Sequence, residues 1–156
     1  MARITIPYAV ADFAEMRERG FYYVDKTNYI PGLEDYNAPI FLRPRRFGKS
    51  LLYYDRTKAN RFEELFGGTW IGEHPTEEHN QYLVIRYDFS AMVMADDMEG
   101  VVQNFNDLNC GPVEVTVEHN RDLFGDFQFT TRGNAVQMLE ELLGYISSHG
   151  LPKAYI

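Results

Sequence analysis

The chain predicts a three-layer α/β domain with a mainly parallel sheet. Short continuous apolar runs at 38–42 ("APIFL"), within 81–90 ("QYLVIRYDFS") and at the final "LPKAYI" suit strands buried on both faces. Segments of helical spacing separate them, so the order is strand–helix–strand–helix–strand.

Taken in order, residues 8–20 ("YAVADFAEMRERG") carry Val10, Phe13 and Met16 at helical spacing, with Asp12 as N-cap and Gly20 as the C′ stop. "FYYVDKTNYI" (21–30) runs from aromatics into Asp25-Lys26-Thr27, a turn or a helix start, and Pro31-Gly32 then interrupts the chain. The strand "APIFLR" leads to Gly48, after which a helix is expected over 49–66 ("KSLLYYDRTKANRFEELF"), stopped by Gly67-Gly68. Residues 68–80 read as loop, and 81–90 as the strongest strand, ending at Asp88. Residues 96–111 have weak helical spacing. "PVEVTVEH" (112–119) alternates as a half-exposed or edge strand, or continues a helix. Residues 134–150 form an amphipathic helix with Asn134 as cap, Gln137 at the third position and Gly150 beyond the end.

Bulk properties narrow the function. With 156 residues the chain is one domain in size, large enough for a sizeable core. A net charge of −8 argues against a general nucleic-acid or anionic-membrane surface. Positive charge is local instead: Arg43, Arg45, Arg46 and Lys49 fall within seven residues. The single Cys110 excludes an intrachain disulfide and fits a reducing compartment. There is neither a signal-type apolar region nor a run long enough to cross a bilayer, so a soluble, cytoplasmic chain is expected.

The chemistry-bearing stretch is "LRPRRFGKS" (42–50). It ends in Gly-Lys-Ser between a strand and a helix, where a phosphate-binding P-loop belongs. Such a site needs outward-pointing N–H groups at a helix start, and no side chain where the backbone approaches the phosphate. Gly48 meets the second need. Lys49 would reach the β- and γ-phosphates, and the Ser50 hydroxyl would ligate Mg²⁺. Arg43 stands where the P-loop pattern has glycine, and Pro44 shapes the turn instead, restricting Arg43 to extended geometry. The N–H cradle then runs from Arg45 through Ser50. A basic surface loop is the alternative reading of the same residues.

These residues resemble the AAA-ATPase-like family, in which a P-loop domain of the STAND type commonly precedes a restriction-endonuclease-like nuclease domain. The matching segments are "YVDKTNYI" at 23–30, "RPRRFGKSLL" at 43–52, "RFEELFGGTWIGEHPT" at 61–76 and "IRYDFS" at 85–90. In that family an arginine at position 43 is the expected residue. The resemblance implies a P-loop NTPase-like fold, ATP and Mg²⁺ as ligands, and a cradle of Arg45, Arg46, Phe47, Gly48, Lys49, Ser50 and Leu51. Ser50 is the implied Mg²⁺ residue, and Asp88, which matches the acid ending the second strand, is a secondary metal candidate beside a purely local role. Asp25, Lys26 and Thr27 match a motif to which the residues alone give no role.

Two departures from the family pattern imply binding without efficient hydrolysis. The helix behind the loop is shorter by about two turns, at 3.6 residues per turn. The Walker B strand that would end in Asp-Glu has only begun at "KAYI", so residues 1–156 are expected to be the N-terminal portion of the ATPase domain, its sheet incomplete at the C-terminus. Unpaired strand edges then favour self-association. The other reading is a non-catalytic interaction or regulatory remnant that binds no nucleotide. A nucleic-acid module rests only on the arginine cluster and is disfavoured by the charge.

The remaining polar residues are expected to be ordinary. His74, His79, His119 and His149 lack metal spacing with Cys110, and Asp96, Asp97, Glu99, Glu140 and Glu141 face water. Cys110 sits in a Gly-Pro turn without a base, Trp70 packs inside, and Met92, Met94 and Met98 belong to the core.

Overall fold

A computed structural model describes residues 13–35, 49–92, 95 and 97–156, with backbone alone at 49–51. The expected Asp12 cap, the strand at 38–43, Arg43–Gly48, Met94 and Asp96 lie outside the described residues. The chain divides into two compact units, Met1–Asn80 and Gln81–Ile156.

In the first unit, α1 (Phe13–Glu18) ends as the sequence requires. Gly20 adopts φ +61°, and the amides of Gly20 and Phe21 donate to the Arg17 and Met16 carbonyls, both at 3.1 Å. After the extended residues 21–26 come a 3₁₀ turn (Thr27–Tyr29) and the single turn α2 (Pro31–Glu34). Pro31 therefore starts a helix rather than interrupting one, because its missing N–H costs nothing at that position. The single helix expected over 49–66 is three pieces: α3 (Lys49–Tyr54), a 3₁₀ segment (Arg56–Arg61) and α4 (Phe62–Phe66). Asp55 makes the break. Its Oδ1 accepts from the Thr57 amide (2.9 Å) and hydroxyl (2.7 Å), offering the backbone a local alternative to the helix.

Residues 68–80 are not wholly loop, since α5 (Trp70–Glu73) forms within them, capped by Thr69. The unit is filled by aromatic rings, most of them meeting edge to face or tilted. Phe13 lies 5.3 Å from both Tyr23 and Phe66, and Tyr53 lies 5.5 Å from Phe66 and 6.0 Å from Phe62. Arg61 bridges Glu64 and Glu18 at the rim, tying α4 to α1.

The second unit holds β1 (Leu83–Val84), a 3₁₀ turn (Phe89–Ala91), α6 (Met98–His119), α7 (Arg121–Phe124), α8 (Ala135–Ser148) and β2 (Ala154–Tyr155). The two strands run parallel, with Leu83 opposite Ala154 and Val84 opposite Tyr155. Mixed α/β composition with a parallel sheet is as expected, and the described sheet has two strands. The sequence suggested strand over 81–90; among the described residues the parallel ladder covers 83–84, and the Ile85 amide also donates to the Tyr155 carbonyl (2.9 Å).

Residues 112–119 belong to α6 and are not a strand. A strand would place Val113, Val115 and Val117 on one face; here Val113 and Val117 are buried, and Val115 is exposed. Asn109, Val113, Thr116 and Val117 form the buried stripe at helical spacing. Pro112 forgoes one helical hydrogen bond. The buried polar groups bond back along the helix: Asn109 Nδ2 to the Phe105 carbonyl (2.6 Å), Thr116 Oγ1 to Pro112 (2.9 Å) and Asn120 Nδ2 to Thr116 (2.7 Å). Cys110 accordingly lies in a helix, not in a Gly-Pro turn.

Against this stripe packs α8, with Ala135, Met138, Leu142 and Ile146 buried and with Leu83 and Ile85 joining the same core. Both ends of α8 match the sequence reading. Asn134 Oδ1 accepts from the Gln137 amide (3.1 Å), Gly150 takes φ +62°, and the Leu151 amide donates to the Ile146 carbonyl (3.0 Å). Asn106 of α6 adds a second cap by accepting from the Ala135 amide (3.0 Å). Glu141, expected simply to face water, holds the preceding loop. Its carboxylate accepts from the Thr130 hydroxyl (2.8 Å), the Thr130 amide (2.8 Å) and the Thr131 amide (3.0 Å).

Two outcomes are expected. Leu142 is fully buried and Leu143 partly exposed. Leu142→Ala should cost about 2–5 kcal/mol in urea unfolding monitored by circular dichroism, and Leu143→Ala less than about 1 kcal/mol. The Thr130 hydroxyl, followed by the neighbouring amides, lowers the Glu141 carboxyl from 4.5 to about 2. A depressed carboxylate contributes stability above its unfolded value that is lost on acidification. The loop should therefore stay docked at neutral pH and release between about 4.5 and about 2. A carbon-detected NMR titration of Glu141 reads this directly, and Thr130→Ala should move the midpoint upward.

Candidate functional site

Of the sequence-predicted cradle, Lys49, Ser50 and Leu51 are the first three residues of α3. Arg45, Arg46, Phe47 and Gly48 lie outside the described residues. The first N–H groups of a helix have no intrahelical partner, so this end of α3 presents donors. The opposite end is fixed. Leu52, Tyr53, Tyr54 and Asp55 are all buried. The Asn80 amide donates to the Tyr53 carbonyl (2.9 Å) and Asn80 Nδ2 to the Asp55 carbonyl (2.7 Å), satisfying acceptors at the helix end. Asn80 reaches them at φ +54°, a left-handed conformation that asparagine tolerates better than most residues.

The side chains of Tyr53 and Tyr54 are fixed equally firmly. The Tyr53 hydroxyl accepts from the Thr76 amide (2.8 Å) and bonds the Thr76 hydroxyl (3.0 Å). The Thr76 hydroxyl donates to Glu34 Oε1 (2.8 Å), and the Tyr54 hydroxyl donates to the same oxygen (3.1 Å). One carboxylate of α2 thus collects both tyrosines of α3. Sequence reasoning missed this network, and its only trace was the pair of adjacent tyrosines after Gly-Lys-Ser.

The Asp25-Lys26-Thr27 segment acquires a role. Asp25 Oδ1 accepts from the Thr27 amide (2.9 Å) and hydroxyl (2.7 Å), while its Oδ2 accepts from the Trp70 amide (2.7 Å). Thr27 Oγ1 accepts from the Ile71 amide (3.0 Å). The two side chains satisfy the first donors of α5 from more than forty residues away in sequence, and Lys26 stays exposed between them. Gly72 completes the fit, because a Cβ there would stand 2.1 Å from the Phe66 carbonyl oxygen. Burial, with the Asp25 charge adding, pushes the neighbouring Tyr23 phenol up to about 12, so it stays protonated.

The same local pattern, Asp-x-Thr/Ser, occurs three times. Asp25 with Thr27, Asp55 with Thr57, and Asp88 with Ser90 each use one carboxylate oxygen to accept the amide and the hydroxyl two residues on. Asp88 caps the 3₁₀ turn Phe89–Ala91, its Oδ1 accepting from Ser90 at 2.9 and 2.6 Å.

Other expectations resolve individually. Trp70 is 40% exposed and stacks on the His74 ring at 4.7 Å instead of packing inside. The short helix α5 has its buried face occupied by Ile71, which turns Trp70 outward. Met98 is exposed at the first position of α6, not in the core. Burial, then the Glu114 and Asp107 carboxylates, raise the Cys110 thiol, opposite to what a nucleophile needs. Among the described residues no three His, Cys, Asp or Glu side chains are grouped to hold a metal, and no helix is long and apolar enough to cross a membrane.

A family model described as predicted AAA-ATPase matches residues 7–156. The chain belongs to the AAA-ATPase-like family. The match runs through both units, so the α6–α8 helical pair lies within the AAA-ATPase-like region along with the Gly-Lys-Ser helix. Comparison with curated proteins and with solved structures gives no match.

In this AAA-ATPase-like chain the Asp25 clamp has a built-in reporter, because Trp70 is the sole tryptophan. Asp25→Ala removes the acceptor of three hydrogen bonds and should cost about 2 kcal/mol in stability, with greater quenching of Trp70 fluorescence by acrylamide. Lys26→Ala should change stability by less than about 0.5 kcal/mol and leave the quenching unaltered.

Proposed function

We propose that the chain binds Mg-ATP through the loop entering α3, with Arg45, Arg46, Phe47, Gly48, Lys49, Ser50 and Leu51 around the phosphates. The observation that supports this reading is that α3 begins at Lys49, so the Lys-Ser of the motif opens a helix, whose first N–H groups are the ordinary donors to an anion. Lys49 holds the β- and γ-phosphates and Ser50 supplies a hydroxyl to the cation. The donor set fits a Mg²⁺ carried on the phosphates: a hard cation that keeps several waters needs only one protein hydroxyl beside phosphate oxygens. Bound there, Mg²⁺ neutralises phosphate charge. Asp88 is the secondary metal candidate, with its Oδ1 already committed to Ser90.

The fold of this reading is a three-layer P-loop NTPase-like domain, supported by the parallel pairing of β1 with β2. A reducing, cytoplasmic setting agrees with the free Cys110. The reading is of binding. It assigns none of these residues to activate water, the step on which phosphoryl transfer to water depends. One feature favours the alternative, an interaction module without nucleotide: α3 has only six residues and so a weak dipole.

Isothermal titration calorimetry with ATP separates the two. The wild-type chain should bind in the presence of Mg²⁺, and Lys49→Ala should weaken binding at least about tenfold, or about 1.4 kcal/mol. Ser50→Ala should remove most of the Mg²⁺ dependence while leaving a folded protein by circular dichroism. A wild-type chain that gives no binding heat and no nucleotide-dependent thermal shift overturns the reading.

A further inference from the structure

The charge of the chain is unevenly shared. Residues 81–156 contain four basic and eleven acidic side chains, a net −7, which leaves −1 for residues 1–80. Within the acidic unit, the first turns of α6 and α8 border a groove of about 580 Å³. Val101, Val102 and Phe105 of α6 line it together with Val136 and Glu140 of α8 and Met92.

This groove has the features of a docking face, not of an unfinished core. Met98, Val102 and Phe105 recur at helical spacing, and Phe89 stacks parallel to Phe105 at 6.4 Å. Within the lining Val102 is 51% and Val136 54% exposed, and next to it in sequence or by ring contact Met98 is 76% and Phe89 56% exposed. Glu140 is the charged residue in its lining, and Asp97 and Glu99 open the same end of α6. None of the unit's basic residues, Arg86, Arg121, Arg132 and Lys153, lines it.

We propose that this groove docks an amphipathic basic segment of a protein partner, with an apolar stripe seated between α6 and α8 and lysine or arginine side chains flanking it. Charge selects this occupant. A basic flank meets Glu140, Glu99 and the surrounding negative field, which steers association and fixes orientation. A second copy would bring another −7 unit against the first, and an acidic segment would meet the same repulsion. The mode is the helix-in-groove type, in which apolar anchors give affinity and rim charges give selectivity.

The experiment uses the full chain and a fluorescein-labelled Leu/Lys amphipathic peptide as probe, read by fluorescence anisotropy, with a Leu/Glu peptide as its counterpart. Val102→Lys and Val136→Lys place a cation in the groove. Val115→Lys adds the same charge at an exposed position of α6 outside it. The expected result is saturable binding of the Leu/Lys peptide, at least about tenfold weaker in both groove variants and within about threefold of wild type in Val115→Lys, with no binding of the Leu/Glu peptide. Any of four results overturns the proposal. These are equal weakening in all three variants (diffuse charge attraction), equal binding of both peptides, no binding by wild type, and a dimer in sedimentation that Val102→Lys dissolves.

Discussion

A phenol buried with no solvent exposure must find its hydrogen-bond partners inside the protein, and the first unit is arranged to supply them to Tyr53. Thr76 gives an amide and a hydroxyl, and Glu34 accepts in turn from Thr76 and from Tyr54. Three segments otherwise remote in sequence, α2, α3 and residues 74–80, are held together by this one network. The phenol ring itself sits among Phe62, Phe66 and Tyr54, so packing and polar satisfaction fix the same side chain. The C-terminal half of α3 is anchored by this burial and by Asn80. A six-residue helix is too short to persist alone, so its helical state depends on this anchorage.

Some of this was legible in the residues and some was not, for physical reasons. Signals that act within a few residues read correctly: Gly20 and Gly150 in left-handed geometry, and Asn134 capping α8. The Val113, Val115, Val117 run misled because period-2 and helical spacing both fit a short valine-rich stretch, and Pro112 hinted at a break. Burial against α8 decided for the helix. The break at Asp55 was readable in principle as an Asx competitor to the helix. The helix at Trp70–Glu73 was harder to read, because beside the local Thr69 cap its first two donors are taken by the distant Asp25 and Thr27. The Gly-Lys-Ser motif was visible at once, whereas the residues that brace its helix, Glu34, Thr76 and Asn80, carry no motif of their own.

The two units divide physical character as well as contacts. The first is aromatic, near neutral and tied by polar networks that converge on the Gly-Lys-Ser helix. The second is a helical pair on a short parallel sheet, strongly acidic and with apolar groups left at its surface. The net charge of the whole chain therefore resides almost wholly in residues 81–156, not in the arginine-rich residues before them.

The three Asp-x-Thr/Ser units have a consequence for how the chain reaches this structure. Each closes a ring within three residues, so its formation waits on no distant contact and carries little loop entropy. Before either core assembles, the chain at 25–27, 55–57 and 88–90 is already biased toward its final turns. Distant strand and helix partners are then searched for by a polymer with three corners in place, which shortens the search among alternatives rather than strengthening the finished fold.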